Sequence, residues 1–117
     1  YPGTIIILTG CFGLYSEALP KAFIDRGASI VLGWGGLVSA DYTDEATLRL
    51  LKVILLDKLS VEESVKAVMR EIGPDPDSGS LLGYYPLDRG KYNLWTGSLE
   101  DLWSISYKII AQKSNQI

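Results

Sequence analysis

The stretch Thr4-Ile5-Ile6-Ile7-Leu8-Thr9-Gly10-Cys11 decides how this chain reads. Three consecutive β-branched isoleucines, apolar toward both faces, predict a strand over residues 4–9 of the kind found in the middle of a parallel sheet. Gly10 ends the run, and Cys11 follows at its carboxyl end, where α/β proteins place their functional loops. Cys11 is the only cysteine among 117 residues, and the chain contains no histidine. A thiol poised as a nucleophile therefore stands without the base that usually activates one.

Working outward, residues 16–26 carry Ala18, Leu19, Ala22 and Phe23 at helical spacing and stop at Gly27, a C-cap residue. Pro20 falls about one turn in, so either the helix starts near Leu19 or its first turn is irregular. Ser29 to Gly33, through Ile30, Val31 and Leu32, reads as a second buried strand. Strand, helix and strand within about 30 residues make a βαβ unit with a right-handed crossover to a parallel neighbour.

The glycine-rich stretch Gly33-Trp34-Gly35-Gly36-Leu37-Val38-Ser39 comes next, then a long helix expected from about Thr43 to Leu59. Leu48, Leu51, Lys52, Leu55 and Leu59 mark one face of it, widened by Leu50, Ile54 and Leu56, which predicts heavy burial. Ser60-Val61-Glu62-Glu63 is a capping box opening a second helix to about Ile72, closed by Gly73-Pro74. Glu62 and Glu63 need no role beyond this solvated start. Asp75-Pro76-Asp77-Ser78-Gly79-Ser80 is a loop by composition. Residues 81–85 and 92–95 read as two short strands of a hairpin around 86–91. In residues 98–111, Ser98 with Asp101 resembles a helix start, whereas Trp103, Ile105, Tyr107 and Ile109 alternate like a strand; the helix reading is preferred. There is no internal repeat and no low-complexity segment.

Composition bounds the function. The length suits one domain, and 47% apolar with 21% charged residues is ordinary for a globular protein. A net charge of −3 gives no electrostatic reason to expect nucleic acid or an anionic membrane as partner. No apolar run approaches the ~18 residues that span a bilayer, and no signal peptide is visible. One cysteine excludes an internal disulfide and fits a reducing cytoplasm. The chain opens on Tyr1-Pro2-Gly3 rather than methionine and reads as a piece of a longer protein, truncated artificially or by accident before a core strand.

A lone buried cysteine is structural more often than catalytic. A thiol between a strand end and a helix, however, has backbone N–H groups free for an anion, and a helix N-terminus favours the thiolate. Residues 5–13, Ile-Ile-Ile-Leu-Thr-Gly-Cys-Phe-Gly, resemble the nucleophile strand of the caspase-like cysteine peptidases, the clan of caspases, gingipains, separases and CHAT domains. Residues 22–34 resemble the clan's helix, Gly-Ala and strand segment ending in a Gly/Trp-bearing loop. Residues 43–47 and 59–65 resemble the two helices that follow in CHAT and gingipain-like members. The match covers about residues 4–75; residues 76–117, the hairpin and tail, match nothing in the clan.

The resemblance implies a three-layer α/β fold with a mainly parallel sheet flanked by helices, incomplete in this chain, of which residues 1–117 supply the C-terminal portion. It implies Cys11 as nucleophile, forming a thioester with a peptide or protein substrate, its own N–H serving as half of an oxyanion hole. The clan's histidine base, and the glycine after it that gives the other oxyanion donor, lie on an earlier strand's loop. They would come from a missing N-terminal half, and this chain by itself would be inert. Trp34, Gly35, Gly36 and Ser39 correspond to the substrate cleft; glycines admit a peptide backbone, and Trp34 either walls a side-chain pocket or packs in the core. Asp41 and Asp44 are candidates to meet a basic substrate side chain, against a reading of Asp44 as a helix-cap carboxylate. The partners implied are the substrate and the missing half of the domain or a second copy of the chain; no cofactor is implied.

Other readings stay open. One is a noncatalytic interaction domain that keeps the fold without the chemistry, another a small-ligand α/β module. Gly10-Cys11-Phe12-Gly13 after a strand is similar to a dinucleotide-binding turn, but Ser16 stands where the third glycine belongs, and Trp34 and Gly35 stand where an acidic residue would take a ribose. One cysteine, no histidine and scattered carboxylates make no metal cluster. Tyr84, Tyr85, Tyr92 and Trp95, with Trp103 and Tyr107, lack basic interleaving and read as packing or interface residues.

Overall fold

A computed structural model of the chain describes residues 3–95. The isoleucine run forms β1 (Ile5–Ile7) and the βαβ unit continues through α1 (Ala18–Asp25) into β2 (Ile30–Trp34). Then follow α2 (Ala40–Leu55), α3 (Val61–Ile72), β3 (Leu82–Tyr85) and a 3-10 turn at Leu87–Arg89. The result is a small α/β domain with a three-stranded sheet of order β1-β2-β3.

β1 runs parallel to β2, with Ile5 opposite Ile30 and Ile7 opposite Leu32. The ladder extends past the strand ends, since Ser29 N–H donates to Thr4 O and Leu8 N–H to Leu32 O. β3 runs antiparallel to β2, pairing Val31 with Tyr85 and Trp34 with Leu82. The sheet is therefore mixed, one parallel and one antiparallel pair, rather than mainly parallel. β2 takes the central place and is buried along its length, whereas β1 is an edge strand and only half-buried. The all-apolar isoleucine run thus sits at an edge whose outer side is unpaired among the described residues.

The expected hairpin does not form. Residues 81–85 do make a strand, but it pairs with the open side of β2, and residues 92–95 are not a strand. That later segment satisfies the start of α3 instead: Val61 and Glu62, whose N–H groups have no partner inside their own helix, donate to Tyr92 O and Gly90 O. Tyr92 is buried and its hydroxyl donates to Gly3 O. The residues expected as a C-terminal helix, 98–111, lie outside the described residues.

α3 starts as its capping box predicts, the Ser60 hydroxyl accepting from Glu63 N–H, and stops at Gly73, whose φ of 72° suits glycine. α2 begins and ends earlier than its leucines suggest, with Ser39 rather than an acidic residue at the N-cap. Its buried side chains are Thr43, Ala46, Leu50, Val53 and Ile54, while Leu48, Leu51, Leu55 and Leu56 are exposed. The predicted face is therefore mostly the wrong one. Leucine content marked two stripes, and only contact with β2 and α3 selects between them. α1 likewise leaves Ala18, Leu19 and Ala22 exposed, with Pro20 buried at its first turn.

The core joins Ile30, Leu32 and Trp34 of β2 to Ala46, Leu50, Val53 and Ile54 of α2 and to Val61, Val65 and Val68 of α3. Strand alternation turns Val31 and Gly33 to the opposite face. There Leu14, just ahead of α1, fills the space over Gly33 and Gly83.

Candidate functional site

Cys11 lies three residues beyond the last ladder bond of β1, in a turn at the carboxyl end of the parallel pair. The turn is docked by its backbone on the end of β2 and the segment that follows it. Phe12 N–H donates to Gly36 O at 2.8 Å and Leu14 N–H to Trp34 O at 2.9 Å. Phe12 sits at φ 59°, a conformation that bulky residues avoid, so the turn is over-determined by these contacts. The Cys11 side chain is exposed and meets Val38 twice: Val38 N–H donates to Sγ and Sγ donates to Val38 O, each at 3.4 Å. Among the described residues no acceptor takes the Cys11 N–H.

The helix next to the thiol is not the one expected. α1 starts only at Ala18, seven residues on, whereas Val38 immediately precedes Ser39, the N-cap of α2. It is therefore the α2 end of the 35–39 loop that borders Cys11. Thr43 joins the two strand ends behind it. Its hydroxyl donates to Thr9 O and accepts the indole N–H of Trp34, both at 3.0 Å, and it is buried.

Of the residues expected to line a cleft, Gly35 is exposed with open space over its Cα, and Gly36 lies beside Cys11's turn. A Cβ at Gly36 would meet Ser80 Oγ at 2.8 Å, so the Ser80 side chain would have to shift. Trp34 does not wall a pocket. It is a core residue, 2% exposed, with Tyr42 tilted against it at a ring separation of 5.4 Å. Ser39 follows Val38 in the chain, and its N–H is committed to Asp75 at 2.9 Å. Asp41 and Asp44 are exposed in the early turns of α2, and neither is a cap.

The loop after α3 forms over 75–80 as its composition predicts, but its part in the site is not legible from that composition. Asp75, assigned to a loop by composition, is 2% exposed and anchors it. Its Oδ1 accepts the N–H groups of Asp77 and Ser78, and its Oδ2 that of Ser39. The Ser39 amide above all, then those of Asp77 and Ser78, hold its carboxyl below the usual value against the opposing effect of burial. The hydroxyls of Ser78 and Ser80 both donate to Leu37 O. Tyr42 feels the same charge: burial first, then Asp75 and Glu45, push its phenol up. The Asp-Pro-Asp-Ser-Gly pattern is a legible turn signal, but nothing in it names Ser39 as the distant partner.

A separate groove of about 580 Å³ runs along β3 between Leu14, Glu17, Pro20, Tyr85 and Asp88; it reaches Gly35 but not Cys11. Among the described residues there is no group of acidic or cysteine side chains able to hold a metal ion, and no helix long and apolar enough to cross a membrane. No family model matches the chain, and no similarity to a curated protein or to a solved structure was found.

Proposed function

We propose that this chain is the cysteine-bearing C-terminal portion of a caspase-like cysteine peptidase domain, with Cys11 as nucleophile. The observation that carries the reading is the exposed Cys11 thiol at the carboxyl end of a parallel strand, its own N–H without an acceptor among the described residues and the 35–39 loop against it. Two features of the fold agree with a three-layer domain completed elsewhere. β2 carries α2 and α3 on one face and Leu14 with the approach to α1 on the other. The outer side of β1, apolar and half-buried, takes a further strand from the segment that supplies the histidine.

In this mechanism the histidine accepts the Cys11 proton, and the thiolate sulfur bonds to the scissile carbonyl carbon. The carbonyl oxygen gains the displaced electron pair and is met by the Cys11 N–H. Collapse breaks the C–N bond, the amine leaving with the proton from the histidine and the acyl group remaining on sulfur. Water, deprotonated by the same histidine, then hydrolyses the thioester and returns the thiol. The peptide lies over Gly35, where no side chain obstructs it, and a basic residue of the peptide is met by Asp41.

The test uses the full-length parent and a panel of fluorogenic peptides. Turnover lost in Cys11→Ala is the expected result. Unchanged turnover in that variant overturns the assignment, and peptide binding without turnover in the wild type turns it into a noncatalytic interaction domain.

A further inference from the structure

Three segments distant in sequence are stacked at the thiol. The turn 10–14 rests on the 35–39 loop through Phe12 N–H to Gly36 O and through Cys11 to Val38. That loop rests in turn on residues 75–81, through Asp75 to Ser39 N–H, Ser78 and Ser80 to Leu37 O, and Gly35 N–H to Leu81 O. The Asp75 carboxylate divides its work within this stack. Oδ1 closes a local turn with Asp77 and Ser78, while Oδ2 reaches 36 residues back along the chain to Ser39. A turn needs only the first oxygen. The second is directed at the residue that follows Val38, the hydrogen-bond partner of the Cys11 side chain among the described residues.

We propose that Asp75 is a positioning residue: its Oδ2, bound to the Ser39 amide, holds the 35–39 loop against the Cys11 turn and so sets the place of the thiol from the end of α3. Calling this thiol a nucleophile rests on the proposed peptidase function; the positioning itself does not. No cation among the described residues pairs with Asp75, so its charge is balanced by the amides of Ser39, Asp77 and Ser78 and by the Ser39 side chain. The titratable side chain that feels its charge is Tyr42 from α2, neutral throughout the acid range; Asp77 of its own loop meets it through the backbone N–H.

Two variants cut the same bond from opposite ends. Asp75→Asn keeps an oxygen for the local turn and sets an amide N–H against that of Ser39. Ser39→Pro removes the donor at a φ of −74°, which proline accepts. The readout is amide hydrogen exchange of Phe12, whose N–H spans the turn and the loop, with core Val68 of α3 as reference. Phe12 is expected to exchange at least about tenfold faster in both variants with Val68 unchanged. Unchanged Phe12 exchange, or equal acceleration at Val68, overturns the proposal. Should either variant fail to fold, acid titration of the wild type decides. The Phe12 and Ser39 amide resonances must then move with one midpoint below the ordinary aspartate value, and separate midpoints refute it. None of these measurements involves a peptide, so a failed peptidase assignment leaves their outcome readable.

Discussion

Cys11 and Val38 engage each other in both directions, the Val38 N–H donating to Sγ and Sγ donating to the Val38 carbonyl oxygen, each at 3.4 Å. A thiolate at this position keeps the first interaction and gives up the second. The loop therefore holds the sulfur in place in either protonation state without covering it.

An exposed thiol held this way should react in the native protein. Iodoacetamide is expected to label Cys11 to completion near neutral pH under conditions where far-UV circular dichroism is unchanged. Labelling that begins only with denaturation would mean that the thiol is enclosed and no solvent-facing nucleophile.

The exposed and buried leucines of α2 separate cleanly by substitution. Leu50→Ala, at a position 1% exposed, should cost about 2–5 kcal/mol from lost burial and a residual cavity. Leu48→Ala should change stability by no more than about 0.5 kcal/mol. Urea unfolding of the two variants measures this, and equal losses would place Leu48 in the core.

Thr43 is the polar joint behind the site. Thr43→Val keeps the shape but leaves the Trp34 indole N–H and the Thr9 carbonyl without their partner, at a cost of about 1–3 kcal/mol. The urea midpoint should fall with the m-value unchanged. Since Thr9 lies two residues before Cys11, alkylation of the thiol should also change in rate.

The two glycines of the loop should respond differently. Gly35→Ala meets no atom within 4 Å and should be neutral, whereas Gly36→Ala must displace Ser80 from Leu37. Loss of that hydrogen bond predicts about 1 kcal/mol for Gly36→Ala. Combining it with Ser80→Ala should cost less than the sum of the single variants, and strict additivity would show that the two residues do not touch.

Acid should loosen the domain through Asp75. Its folded carboxyl titrates below the ordinary value of 3.8 because the Ser39, Asp77 and Ser78 amides stabilise the anion. The resulting stability is fully present above the unfolded value and is lost as pH falls through the folded one. Urea midpoints measured between about pH 6 and pH 2 should decline less steeply in Asp75→Asn than in the wild type. Parallel declines would assign the acid sensitivity to other carboxylates.

Local signals were legible in the sequence wherever a residue's preference is met by its near neighbours. The isoleucine run made a strand, Ser60 with Glu63 opened α3, Gly73 closed it, and strand-helix-strand order brought Cys11 and the 35–39 loop to one edge of the sheet. What those signals leave undetermined depends on partners far along the chain. Leu48 and Leu50 are equally apolar, and only packing against β2 and α3 buried one and exposed the other. β3 was readable as a strand, but its partner was decided by the vacant side of β2, because Gly90 and Tyr92 of the later segment are engaged by the unpaired amides of α3. Trp34 entered the core because Thr43 offered its indole an acceptor there. Asp75 looked like any loop aspartate, and its role arose only when folding set Ser39 within reach of its second oxygen.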